Sequence, residues 1–249
     1  MMSLIRPSFG DVVKRQYQYK LKAYSGMFMT LVLLQLLGIF FSFSGVGSSG
    51  TGSHEMSLNV THYSAVMVLL FTFLWGFVSS ILITTRAYRN DDFLYVANRV
   101  SSHIANGLFL LTASIIAGIT AMLSGYLLKA ILYFIFRADY VEGTGAIHTA
   151  KELFIGMSSS SLYVLLFCAL GYFIGTLVQL HRMFIIVVPA VFFGDLILHA
   201  NNGEKGIFFV FYEQFFTEPS FIFFLIKMYL IIGLLFIGSL ALSNRMEVR

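Results

Sequence analysis

Two charges sit where the surrounding sequence is apolar. Asp195 falls inside the run Phe184–Ala200, and Lys227 falls inside the run Phe221–Leu242. An ionised side chain at membrane depth is costly and faces a partner or a cavity, so such residues default to functional roles. Counted from the outer ends of their runs, both lie about one to one and a half helical turns inside. That match predicts that they approach each other or share a polar cavity. The pair then reads as an ion pair locking two helices, as a gate or substrate contact, or as a proton relay extended by His199, one turn beyond Asp195. Lys227 also has the reach to snorkel outward. Pro189 removes a backbone donor from the same run as Asp195, which makes it a candidate hinge.

Other chemistry is missing. The chain has no H-E-x-x-H, no G-x-S-x-G and no G-x-x-x-x-G-K-[ST], so no catalytic residue is expected and no ATP bound through a P-loop. Cys168 is the single cysteine, which excludes an intrachain disulfide and a cysteine metal site. His54, Glu55 and His62 are the nearest approach to a metal cluster, and no metal site is expected there.

The elements that position Asp195 and Lys227 are long apolar runs. Hydrophobic residues make up 58% of the 249 residues and charged residues 11%, and the mean hydropathy is +0.83. A helix needs about 20 apolar residues to cross the hydrocarbon layer. Six runs approach that length: Ser25–Ser44, Ser64–Thr85, Ile104–Tyr126, Phe154–Leu180, Phe184–Ala200 and Phe221–Leu242. They are continuous and do not alternate, so they predict helices and not a barrel. The expected fold is all-α, a polytopic membrane protein whose single transmembrane domain, 1–249, has six spans across 25–242.

Orientation follows from the basic residues. Arg6, Lys14, Arg15, Lys20 and Lys22 precede the first run; Arg86, Arg89 and Arg99 lie between the second and third, Arg182 between the fourth and fifth, and Arg245 and Arg249 in the tail. The other side has Arg137, Lys151 and Lys205 and most of the acids. Both termini are therefore expected in the cytoplasm. A pI near 9.1 then reflects topology beside anionic lipid, and no nucleic-acid partner is expected.

Residues 1–24 form an amphipathic segment. Phe9, Val12, Val13, Tyr17, Leu21 and Tyr24 recur at helical spacing, with the basic residues elsewhere on the wheel, and Ser8 and Asp11 suit a capped start. Such a helix lies in the headgroup plane, aromatic residues down and basic ones up, or serves simply as a positive anchor. Gly45–Ser53 reads as a flexible Gly/Ser linker. The loop Arg86–His103 carries a short helix exposing Phe93, Leu94, Tyr95 and Val96, which fits a protein partner or a connector lying on the bilayer. The third run continues past Tyr126 as a long tilted or an interfacial helix. Residues 203–220 include Ile207–Phe216, too short to cross and aromatic, which suits a re-entrant or interfacial segment. Gly171 and Gly175 form a G-x-x-x-G, and Ala113, Ala117 and Ala121 a second small-residue stripe; both permit close helix packing within one chain or between two.

Taken together, these features resemble the membrane subunit of an ABC-2 type exporter, and in size the small permeases of bacterial peptide and lantibiotic transporters. The stretch Cys168–Gly194 (CALGYFIGTLVQLHRMFIIVVPAVFFG) has that family's character: a glycine-rich fourth span, a tight basic turn, then a short proline-containing fifth. The resemblance implies two permease chains, identical or homologous, above two separate ATP-binding subunits that carry the ATP and Mg, in a bacterial plasma membrane. It implies that residues 8–22 are the connecting helix and 88–102 the coupling helix. Phe93, Leu94 and Tyr95 would anchor on the ATPase, with Arg89 and Arg99 at the rim. The aromatic segment, with Phe208, Phe211 and Phe215, would form an outer gate for an amphipathic substrate such as a peptide. A secondary transporter and a stand-alone immunity or sensor protein are the alternatives.

Overall fold

The computed structural model describes residues 8–45, 47–53, 56–85, 88, 99–136, 149–202, 206, 210, 213 and 220–245. Seven helices occur among them: α1 (Phe9–Ala23), α2 (Ser25–Ser42), α3 (Val66–Thr84), α4 (Arg99–Phe136), α5 (Ala150–Leu180), α6 (Phe184–Asn202) and α7 (Phe221–Arg245). Five of these, α2, α3, α4, α5 and α7, are long and apolar enough to cross a membrane. The apolar stretch of α6 among the described residues is shorter, Phe184–Asp195. Length and composition therefore support five spans outright, and the sixth expected span is a shorter case.

The helix boundaries follow local chemistry. Ser8 caps α1 by accepting from the Asp11 amide at 3.3 Å while its hydroxyl donates to the Asp11 carboxylate at 2.7 Å. Thr149 and Glu152 close a capping box at the start of α5. The third apolar run does continue: α4 is one helix of 38 residues, about 57 Å long at 1.5 Å per residue, which exceeds a ~30 Å hydrocarbon layer. It also begins earlier than expected. Arg99–His103 are its first residues and not part of the preceding loop.

One element departs from the all-helical expectation. Gly47–Ser53 (β1) and Met56–His62 (β2) pair antiparallel, with Gly47 opposite His62 and Ser53 opposite Met56. The Gly/Ser run is thus paired strand and not free linker. Its partner carries the signal that the composition of β1 hides, since Met56, Leu58 and Val60 alternate with polar residues at the period of a strand.

The helix α5 is the centre of the bundle. It packs on α3, α4, α7 and α6, while α1 lies against α4, and α2 against α3 and α4. Burial agrees: 56% of the apolar window of α5 is buried inside the protein, against 17% for α7. Small residues let α3 and α5 approach. A Cβ at Gly171 would collide with the Phe77 carbonyl and the Ser80 hydroxyl, and one at Gly175 with the Thr84 hydroxyl. The G-x-x-x-G therefore seats α5 on α3 inside one chain. Gly38 does the same for α2, where a Cβ would stand 2.8 Å from Cα of Val68 on α3.

Candidate functional site

The end of the bundle that carries α1, Arg99 and the C-terminus of α7 is called the basic end here. Two groups of side chains meet there.

The first surrounds Tyr24, at the break between α1 and α2. Its backbone leaves the helix (φ −100°, ψ 22°), and its ring is buried edge-on against Tyr88 at 4.9 Å and Phe109 at 5.7 Å. Edge-to-face rings hold a preferred geometry, so the angle between α1 and α2 is set by Phe109 on α4 and by Tyr88. The ammonium of Lys20 lies 5.7 Å from the Tyr24 centroid. Lys20 is only 1% exposed, which corrects the expectation that it joins the outward basic face. Seven residues are two helical turns, so Lys20 shares the side of Val13, and that side packs on α4. Gln16, one turn before Lys20, is also buried, and neither atom of its amide has a hydrogen-bond partner.

The second group joins α4, α5 and α7. Nη1 of Arg99 donates to the Ser243 carbonyl at 3.0 Å, a cation set on the C-terminal end of α7. One turn further along α4, Nδ1 of His103 lies 2.7 Å from the hydroxyl of Tyr172 on α5. Nδ2 of Asn106 donates to that hydroxyl at 3.2 Å.

The bundle interior carries a polar clamp as well. Nε2 of Gln35 on α2 lies 3.3 Å from the Thr72 hydroxyl on α3, and 3.3 Å and 3.0 Å from the Ala117 carbonyl and Thr120 hydroxyl on α4. Nε1 of Trp75 donates to the Met27 carbonyl and the Thr30 hydroxyl. These bonds fix the order of α2, α3 and α4. Gln35 was visible in the sequence as an amide inside LVLLQLLG. The His103–Tyr172–Asn106 group was not, because its members lie 66 and 69 residues apart.

The expected site residues distribute as follows. Arg99 lies at the basic end, while Arg89, Phe93, Leu94 and Tyr95 lie outside the described residues, as do Phe208, Phe211 and Phe215. Pro189 is exposed within α6, which continues through it. Asp195 on α6 and Lys227 on α7 are both half-buried. Among the described residues, α6 rests on α5, and α7 on α5 and α4. The Asp195 carboxylate faces the backbone after α6, where a Cβ at Gly206 would stand 2.6 Å from Oδ2. Gly206 is thus a neighbour of Asp195 that the spacing of charges did not point to. Among the described residues, no three His, Cys, Asp or Glu side chains gather as metal ligands do.

No family model, curated protein or solved structure matches the chain. Its apolar helices suit a multi-pass membrane protein. The long apolar side chains exposed along α2, α6 and α7, such as Phe40, Ile186 and Ile237, then face lipid.

Proposed function

We propose that this chain is the membrane subunit of an ATP-driven exporter in a bacterial plasma membrane. Two such chains, identical or homologous, form the pathway for an amphipathic substrate such as a peptide. Two separate ATP-binding subunits carry ATP and Mg, and this chain performs no catalysis itself. In this reading α6 is a short sixth crossing with Pro189 as its hinge. The basic end faces the cytoplasm, and Phe208, Phe211 and Phe215 gate the opposite end. Asp195 and Lys227 brace that gate.

The observation that carries the reading is the seat of Tyr88 on Tyr24. It seats Tyr88, which in this reading opens the loop that meets the ATPase, against the break between the amphipathic helix α1 and the helix α2. Force applied to that loop reaches Tyr24, and through its rings turns α1 against α2 and α4. Phe93, Leu94 and Tyr95, a few residues beyond Tyr88, are the apolar anchors on the partner, because few buried anchors dominate interface energy. Arg89 and Arg99 flank them.

The test is affinity purification in mild detergent, mass spectrometry, and an ATPase assay with added peptides. The reading expects a P-loop subunit to co-purify, to be lost from the Phe93→Asp/Leu94→Asp double variant, and to hydrolyse ATP faster when an amphipathic peptide is present. A nucleotide-binding partner that stays attached to the double variant would contradict the assignment of the coupling loop.

A further inference from the structure

The seat of α1 on α4 buries mostly polar side chains. Within α1 the buried residues are Val13, Gln16 and Lys20, so a single apolar side chain is fully covered. By contrast, α7 seats on α5 through Phe224, Met228 and Ile232, one per turn. Gln16 and Lys20 are one turn apart, on the side of α1 that packs on α4. Gln16 is 2% exposed, and neither its amide nitrogen nor its amide oxygen has a hydrogen-bond partner. An amide buried without partners costs free energy that water would return. The ammonium of Lys20, in the same seat, is held away from water.

The opposite side of α1 is basic. Lys14, Arg15 and Lys22 are exposed and lie across the helix from Val13, Gln16 and Lys20. The next helix, α2, begins at Ser25 and is apolar and long enough to cross a membrane. In a membrane the α1–α2 junction therefore sits where the hydrocarbon begins, and α1 meets the headgroup layer. Outward cations at that depth complement an anionic leaflet. The junction also leaves α1 room to turn. Tyr24 is out of helical geometry (φ −100°, ψ 22°), a Cβ on Gly26 would meet nothing within 4 Å, and α1 packs far less on α2 than on α4.

We propose that α1 is a releasable helix whose ligand is the anionic phospholipid headgroup. Docked on α4, it offers Lys14, Arg15 and Lys22 to lipid phosphates. Released, it turns about the Tyr24–Gly26 junction into the headgroup plane. There Gln16 meets water, and the ammonium of Lys20 snorkels to phosphate. A ligand shifts a two-state balance only by its difference in affinity for the two states. The three outward cations reach phosphate in both states and leave the balance where it is. Lys20 is the cation whose access to phosphate changes, so it ties the balance to the charge of the lipid. Gln16 sets how poised the docked state is, because its amide gains partners on release in any lipid. Nothing in this balance depends on an ATP-binding partner.

The experiment uses the full chain in lipid nanodiscs, spin-labelled through Gln18→Cys on α1 and Ile104→Cys on α4, both exposed positions. Cys168 is 0% exposed and stays in place. Double electron–electron resonance reads the ratio of released to docked helix from the distance between the labels. Replacing phosphatidylcholine with phosphatidylglycerol is expected to raise that ratio about fivefold. Lys20→Met is expected to give the same ratio in both lipids. Gln16→Leu is expected to lower the ratio about threefold or more in both lipids and to keep the response to phosphatidylglycerol. One unchanging distance in both lipids, a lipid response that survives Lys20→Met, or a Gln16→Leu ratio at or above the parental one would overturn the proposal. Inorganic phosphate that raises the ratio in phosphatidylcholine as much as phosphatidylglycerol does would overturn lipid as the ligand. Either variant alone decides if the other does not fold.

Discussion

Replacing Gly171 with alanine drives a methyl group into the Phe77 carbonyl and the Ser80 hydroxyl on α3, with the Phe77 carbonyl carbon 3.1 Å away. The carbonyl belongs to a helix backbone and cannot rotate aside, so α3 and α5 must part. Overpacking of this kind costs about 1–3 kcal/mol, and the backbone clash puts it near the top of that range. Alanine returns about 1 kcal/mol in helix propensity. The net loss of about 2 kcal/mol corresponds to an open seam about thirtyfold more populated. The chain contains its own reporter, because Cys168 is 0% exposed and its Sγ lies 3.0 Å from where a Gly76 Cβ would be, in the α3–α5 seam. Maleimide labelling of Cys168 tracks the open population when opening is fast relative to reaction. The Gly171→Ala protein should label about thirtyfold faster than the parent. The control is Gly233→Ala, whose Cβ meets nothing within 4 Å and which should label at the parental rate. Equal labelling of the two variants would refute the packing argument.

Other perturbations test other parts of the bundle. Gln35→Leu removes the amide that joins α2, α3 and α4, and should lower stability by about 1–2 kcal/mol, read as a fall in thermal midpoint. The loss should shrink in a Thr72→Val background, and an undiminished loss would show that the two side chains are uncoupled. Gly206→Ala sets a methyl group against the Asp195 carboxylate and should impair transport in liposomes while leaving the thermal midpoint of the bundle within a few degrees. Asp195→Lys and Lys227→Asp should each abolish transport, and the double swap should restore part of it if the two side chains form a simple ion pair. A double swap as inactive as the single changes would rule that pair out.

The sequence carried the helices well because the apolar runs are continuous and their ends are marked. The α2 start at Ser25 and the α5 and α6 ends nearest the tight turn at His181 fall where the runs begin and stop. The length of α4 was legible as continued apolar spacing beyond Tyr126. Lys20 was misplaced because charge was read without the two-turn step that returns it to the side of Val13. The hairpin was hidden by glycine and serine in β1, although β2 alternates. The two glycines of α5 announced a close approach but not its partner, since helix pairing is a tertiary property. The His103–Tyr172–Asn106 group was illegible for the same reason: three ordinary polar residues become a site only when α4 and α5 are laid side by side.

The central claim, a permease that works in a four-chain assembly with two ATP-binding subunits, is tested most directly by native mass spectrometry of the complex purified in mild detergent. The account predicts an assembly containing two permease chains, of which this one contributes 28.0 kDa per copy, together with two nucleotide-binding chains that dissociate when Phe93 and Leu94 are changed to Asp. A 28.0 kDa chain that flies alone, with no nucleotide-binding partner under the gentlest conditions, would contradict it.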